Sequence, residues 1–276
     1  MGNYEILTKD NYVSNHYFMS YSTFSNYMKC EAAAAVHFRT PPSDAQLIGS
    51  YVDAHFSNEK SEFILSHPEI FNSKTGELKV GFKKADDLIY RIENDETFMY
   101  YMSGEKQVIM TGKIGGYPFK IKIDSFMPDK FIVDLKVLKD FKKVWSNTFN
   151  AYVSFIEGYD YDIEMAIFQE IVYQNTGKRL PCYLACITKE EPSDVAIFEI
   201  SQEKLDKALE IVKNNLPRII DIKEGRVAPQ RCEECAYCRA TKKARVLSSD
   251  YVGYNGDKLR EVGIECNDPF VKLKEE

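Results

Sequence analysis

Long apolar runs are missing from this chain of 276 residues. Nothing in it approaches the ~20 consecutive apolar residues that cross a bilayer. A secretory leader is not expected either, because the opening MGNYEILTKDNY is polar and mixed in charge. Met1-Gly2 begins like an acylation signal, but Asn3 follows and no second membrane signal accompanies it. These absences predict a soluble, cytoplasmic protein with no membrane partner. Glycine-rich phosphate loops of the P-loop or dinucleotide type are absent, which excludes the nucleotide-binding classes that depend on them. Internal repeats and low-complexity segments are absent too, which excludes solenoids. Positive charge is in short supply: 36 Lys and Arg face 42 Asp and Glu, for a net charge of −6. Broad coating of nucleic acid is therefore disfavoured. A local site in which acids hold cations and a few basic residues grip phosphate is still open.

What is present is concentrated in Gly115–Asp140, GGYPFKIKIDSFMPDKFIVDLKVLKD. Two segments, Phe119–Asp124 and Phe131–Lys136, alternate apolar and polar residues with the period of a strand. Met127-Pro128-Asp129-Lys130 between them is a turn signal. An antiparallel hairpin centred there places Asp124 opposite Val133 and Asp134, with Lys136 on the same strand face as Asp134. Two acids and a lysine converging at one end of a sheet can hold a divalent cation and steer a water, the chemistry of phosphodiester hydrolysis.

An aspartate in one strand followed by Asp134-Leu135-Lys136 in the next resembles the PD-(D/E)xK nuclease core. The chain looks most like the RecB-like and lambda-exonuclease-like branch, in its phage recombination exonuclease form (exodeoxyribonuclease VIII-like). The fold this implies is an α/β restriction-endonuclease-like core, a mixed β-sheet flanked by helices. The implied catalytic residues are Asp124, Asp134 and Lys136, with Asp53, Asp124 and Asp134 as ligands of Mg²⁺ or Mn²⁺. Family members carry Gly-x-x-x-His on an early helix, the glycine allowing close packing and the histidine completing the metal site. Here Gly49 and Asp53 occupy those places, with His55 two residues on; aspartate is a suitable hard ligand. A Gln-x-x-x-Tyr signature near the bound DNA maps onto Glu164 and Phe168, while Gln169 and Tyr173 restore the letters at a different place on the helix.

Read in order, SYSTFSNYMKCEAAAAVHF (20–38) predicts one helix capped by Ser20 or Ser22, with Phe24, Met28 and Ala32 on its buried stripe. Ser43 caps a second helix, Asp44 to Phe56. Residues 57–97 are highly charged, with a helix from about Lys84 to Ile92, and suggest a helical insertion. Gln107–Thr111 reads as a strand leading into the hairpin. The aromatic stretch Phe141–Gly158 holds the single tryptophan, Trp145, and the pair Lys142 and Lys143. A helix from Asp160 or Asp162 to Asn175 buries Ile163, Ile167 and Ile171 and ends at Gly177. Strands Cys182–Cys186 and Val195–Ile200 follow, then a long helix Gln202–Glu224 with Leu205, Leu209, Val212, Leu216 and Ile220 inward. The whole is read as one nuclease domain, 1–276.

Of seven cysteines, Cys232, Cys235 and Cys238 form C-x2-C-x2-C, a spacing that lets several thiolates face one metal. RecB-like relatives with an iron–sulfur cluster draw one cysteine from an N-terminal helix and three from the C-terminal region. The resemblance therefore implies Cys30 as the fourth ligand of a [4Fe-4S] cluster, with Zn²⁺ as the alternative and Cys266 as a substitute ligand. Such a centre would staple the two chain ends. Cys182 and Cys186 read as core. Basic residues gather at Arg226, Arg231, Arg239, Lys242, Lys243 and Arg245, either as a phosphate grip or as a solvated face. The function implied is a metal-dependent DNA exonuclease of phage-type recombination, with a single-strand annealing protein and a homo-oligomer as expected partners. The alternative is a non-catalytic nucleic-acid or protein binding module with a zinc knuckle.

Overall fold

The computed structural model describes residues 7–146 and 150–244; Arg245 and Cys266 lie outside the described residues. Its first helices are α1 (Lys9–Tyr12), α2 (Tyr21–Lys29), α3 (Glu31–Ala35), α4 (Asp44–Phe56), α5 (Lys60–Ser66), α6 (Val80–Glu93) and α7 (Glu96–Tyr101). Strands β1 (Glu105–Ile114), β2 (Tyr117–Met127), β3 (Phe131–Leu138), β4 (Val144–Ser146) and β5 (Ala151–Val153) follow. Then come α8 (Phe155–Gly158), α9 (Tyr161–Thr176), β6 (Cys182–Thr188), β7 (Val195–Ile200), α10 (Gln202–Lys223) and α11 (Ala236–Ala240). Two compact units emerge among the described residues: those up to Met19 with those of 42–213, and 20–41 with 214–244.

The first unit is built on a five-stranded mixed sheet in the order β1-β2-β3-β6-β7. Only β3 and β6 run parallel. A parallel neighbour requires a crossover, supplied here by the residues from the β4–β5 ribbon through α9. The hairpin turn falls where Met127–Lys130 predicts it, with Asp129 at φ 64. The strands run longer than the sequence suggests, because Ser125, Phe126 and Met127 extend β2 to pair with Val133, Ile132 and Phe131. Ser125 stands opposite Val133, and the same register carried one residue further sets Asp124 beside Asp134, one of the two positions expected for it.

One face of β3, through Phe131, Val133 and Leu135, packs with Ala185 and Ile187 of β6 against two helices. α4 gives Leu47, Tyr51 and Val52; α6 gives Phe82, Ala85, Leu88, Ile89 and Ile92. The apolar positions of α6 recur at helical spacing and make one stripe, so the charged segment expected as an insertion builds a wall of this core. Ile163, Ile167 and Ile171 of α9 are buried as expected, and Gly177 ends the helix at φ 73. A Cβ at Gly112 would fall 2.5 Å from Gln174 Oε1 and 2.8 Å from Ile171 Cδ1, so α9 lies this close to β1 because residue 112 has no side chain.

In the second unit the expected single helix 20–38 is broken. Ser20 caps α2 as read, but Cys30 is extended (φ −162, ψ 106), ending α2 and starting α3. The break changes the buried stripe: Phe24, Ser25 and Tyr27 are inside, and Met28 is 46% exposed. Glu31 anchors the start of α3 to Arg218 at 2.6 and 2.7 Å and accepts the Gln230 N–H at 2.7 Å. Within α10, Leu205, Leu209, Val212 and Leu216 are buried as read, but Ile219 and Ile222 take the place foreseen for Ile220, which is half-buried.

Candidate active site

All the carboxylates read from the sequence except those of the hairpin turn converge within the first unit. Asp134 and Lys136 project from the same face of β3, and α9 brings Glu164 to them. Lys136 Nζ lies 2.6 Å from Asp134 Oδ2 and 2.8 Å from Glu164 Oε2, and it sits 4.8 Å from the centre of the Tyr161 ring. The contact with Asp134 is a close, largely buried ion pair. Asp124 of β2 accepts the Leu135 N–H through Oδ2 at 3.0 Å. That bond stitches the aspartate to β3 beyond the last paired residues.

The residue that joins the rest was not foreseen. Gln107 breaks the β1–β2 pairing between Lys106↔Ser125 and Val108↔Ile123, adopting φ 54 in mid-strand. Its side chain is buried, and Nε2 approaches Asp124 Oδ1 at 3.2 Å, Ser57 Oγ at 3.1 Å and Asp53 Oδ1 at 3.5 Å. Its own Oε1 has no partner. A left-handed non-glycine residue in a strand is uncommon and collects at functional sites. Nothing in the local sequence distinguishes this glutamine from any other polar strand residue.

Electrostatics follow from crowding. Burial raises Asp53 to about 6; Lys122 opposes the shift, and Asp134 and Glu59 add to it. Burial raises Asp124 well above the carboxylate range, helped by Asp134 and Asp53. Glu164 rises to about 7, through burial first, with Lys136 opposing and Asp134 adding. Burial would lower Lys136, but the charges of Asp134 and Glu164 outweigh it and hold the ammonium well above its usual range. Tyr12 of α1 belongs here as well: burial raises it, and so do the charges of Glu164 and Asp124. Several carboxylates forced together in this way gain from a cation, and oxygen donors suit a hard divalent ion. Gln107 Oε1, buried and without a hydrogen bond, is an open acceptor of the kind such an ion satisfies.

Other sequence readings settle differently. A Cβ at Gly49 would meet nothing within 4 Å, so close packing is not what this glycine provides. His55 is turned to Glu93 at 2.7 Å, away from the aspartates. Gln169 is buried against Leu180 O and Gln202, while Tyr173 lies outside under Arg179, so these letters build no part of the acidic cluster. The basic group is largely engaged. Arg226 pairs with Asp221 and Glu224, Arg231 with Glu233, and Arg239 with the Glu234 carbonyl. Lys142 lies 3.7 Å from Glu190. Cys182 and Cys186 are core residues of β6.

The second unit brings Cys30, Cys232, Cys235 and Cys238 together, with all four sulfurs within 4.8 Å of one another. Among the described residues this is the one set of three or more Cys, His, Asp or Glu ligand atoms gathered so tightly; the aspartates stand wider, bridged by Gln107. Burial raises Cys30 and brings Cys238 to about 12. For Cys232 burial is outweighed by hydrogen bonds, beginning with the Glu234 and Cys235 backbone, and the thiol falls to about 7.

The model of the PDDEXK-like domain of unknown function (DUF3799) matches residues 20–241. A crystal structure from Eubacterium rectale, of a protein named "Putative exonuclease", is 40% identical with a TM-score of 0.85, covering 89% of this chain and 97% of that one. The structure of SSO0001 aligns at 12% identity and a TM-score of 0.31, over 82% of this chain and 96% of that one. No curated protein matches. Among the described residues no helix is long and apolar enough to cross a membrane. The match over most of its length, on a mixed sheet that carries the acid–lysine hairpin, makes this chain a member of the PDDEXK-like DUF3799 family, a nuclease-type domain of the PD-(D/E)xK superfamily.

Proposed function

We propose that this protein is a Mg²⁺- or Mn²⁺-dependent deoxyribonuclease acting as an exonuclease in phage-type recombination or DNA processing. The observation that carries the reading is the convergence of Asp53, Asp124 and Asp134 on Lys136 at one end of the sheet. Those three aspartates would hold the cation, which supplies Lewis-acid polarisation of the scissile phosphate and offsets its charge. Lys136, held between Asp134 and Glu164, orients the attacking water and stabilises charge on the five-coordinate phosphorus. Its upward shift keeps it an ammonium, so it is a poor proton acceptor. Glu164, brought to about 7, is better matched to take the water's proton near neutrality.

Exonuclease action is favoured by the name of the Eubacterium rectale relative. The bacterial or prophage cytoplasm, an annealing-protein partner and a homo-oligomer are proposed on family resemblance alone. The test is incubation with linear duplex DNA, with and without Mg²⁺. Nucleotides should be released only with metal, and covalently closed circles should be spared. Cleavage of closed circles at a similar rate would remove the exonuclease assignment, and no metal-dependent cleavage at all would remove the nuclease reading.

A further inference from the structure

Four thiolates can hold one ion or a multi-iron cluster, and the distances between their sulfurs separate the two. Around a single tetrahedral metal with bonds of about 2.3 Å, sulfurs stand about 3.8 Å apart. Here Cys30 Sγ lies 3.6 Å from Cys238 Sγ, and Cys232 Sγ lies 3.9 Å from Cys238 Sγ. A cubane places each thiolate on a different iron at its outer corners. Its eight atoms do not fit between four sulfurs that all lie within 4.8 Å of one another.

The surroundings agree with a closed tetrathiolate. The N–H of Cys235 donates to Cys232 Sγ at 3.3 Å, and that of Cys238 donates to Cys235 Sγ at 3.4 Å, directing donors at sulfurs that carry charge when metallated. Arg231 donates to the Cys238 carbonyl at 2.7 Å and fixes the loop, placing positive charge beside it. Among the described residues the apolar cluster around the sulfurs is small. Its buried members are Cys30, Ala32 and Cys238, with Ala33, Cys232, Cys235 and Tyr237 packed on them. Most of that cluster is the ligands themselves, so its apolar contribution is small and a bound metal would add cohesion.

We infer that Cys30, Cys232, Cys235 and Cys238 form a mononuclear structural zinc site, in place of the [4Fe-4S] cluster that the family resemblance implies. Zinc is favoured over a lone ferrous ion because it binds such a site more tightly. A cleft lined by Tyr27, Cys30, Glu31, Arg218, Arg231 and Cys232 gives ions and thiol reagents a way in.

The test is elemental analysis and the visible spectrum of the full chain, purified anaerobically. One zinc ion per chain and no visible absorption are expected, and replacement by Co²⁺ should give the intense bands of a tetrahedral tetrathiolate. Asp134→Asn should keep the zinc, which separates this site from the acidic one. Cys30→Ser and Cys235→Ser should each lose it. Should those variants fail to fold, stepwise titration of the wild-type thiols with a mercurial should release zinc in proportion. Several irons with sulfide and a broad brown absorption, a single iron with a red spectrum, or metal-free thiols would each overturn the inference. So would a Cys30→Ser variant that retains full zinc.

Discussion

Gln107 and Asp124 face each other across β1 and β2 at the one step where the ladder is interrupted, joined by a 3.2 Å hydrogen bond from amide to carboxylate. The same nitrogen reaches Asp53. Gln107→Leu should therefore leave two clustered carboxylates without their shared donor. Loss of buried hydrogen bonds to charged groups costs about 1–3 kcal/mol. Urea melts should show that loss, and Mg²⁺ titrations of cleavage should show a higher metal requirement. Wild-type values for both would reduce Gln107 to an ordinary strand residue.

Asp134→Asn and Asp124→Asn should each lower cleavage by at least about 100-fold, on the order seen when a charge-stabilising group is removed from an active site. Neither should lose the fold, because each removes a charge from a crowded, buried set. Asp129→Asn should be mild: Asp129 sits in the turn at φ 64, which asparagine tolerates, and pairs at the surface with Lys178. If Asp129 proved essential and Asp124 dispensable, the assignment of the acidic strand residue would be wrong.

Lys136 neutralises two buried acids, so Lys136→Met should be strongly destabilising, by about 3–5 kcal/mol, as when one partner of a buried pair is removed. Adding Glu164→Gln should recover part of that loss while activity stays absent. A double variant no more stable than Lys136→Met would show that Glu164 does not depend on the lysine for its charge.

The pH dependence has a definite sign. Asp53 at about 6, Glu164 at about 7 and Asp124, also raised by burial, keep their protons in the folded chain after the unfolded chain has lost them. Their favourable contribution is complete below about pH 4 and disappears as pH rises through those values. Protein without Mg²⁺ or Mn²⁺, its thiolate site left intact, should accordingly melt at a lower temperature at about pH 8 than at about pH 5. Saturating Mg²⁺ or Glu164→Gln should flatten the profile; a rise in melting temperature over that interval would contradict the cluster's electrostatics.

Much of this was legible because it rests on local pattern. Ser43 and Gln46 cap α4 reciprocally, Gly177 closes α9, and the hairpin's alternation and turn placed Asp124, Asp134 and Lys136 on neighbouring strands. What escaped depends on distant partners. Cys30 breaks a segment of good helix formers, and no propensity in that segment announces the break. Gln107 takes a left-handed conformation in a strand whose sequence reads as regular. Tyr12 reaches the acids only through the fold, and Arg226 and Arg231 pair with acids that sequence spacing alone did not single out.

The cysteine quartet also carries a timetable. Cys30 and Cys238 are 208 positions apart in the chain. At roughly 5–20 residues per second of synthesis, Cys30 emerges on the order of 10–40 seconds before the last of its partners exists. For that interval its thiol can neither complete a metal site nor be shielded by one. Oxidants and stray metal ions therefore meet a lone cysteine on every nascent copy, and the second unit can close only when nearly all the described chain has been made.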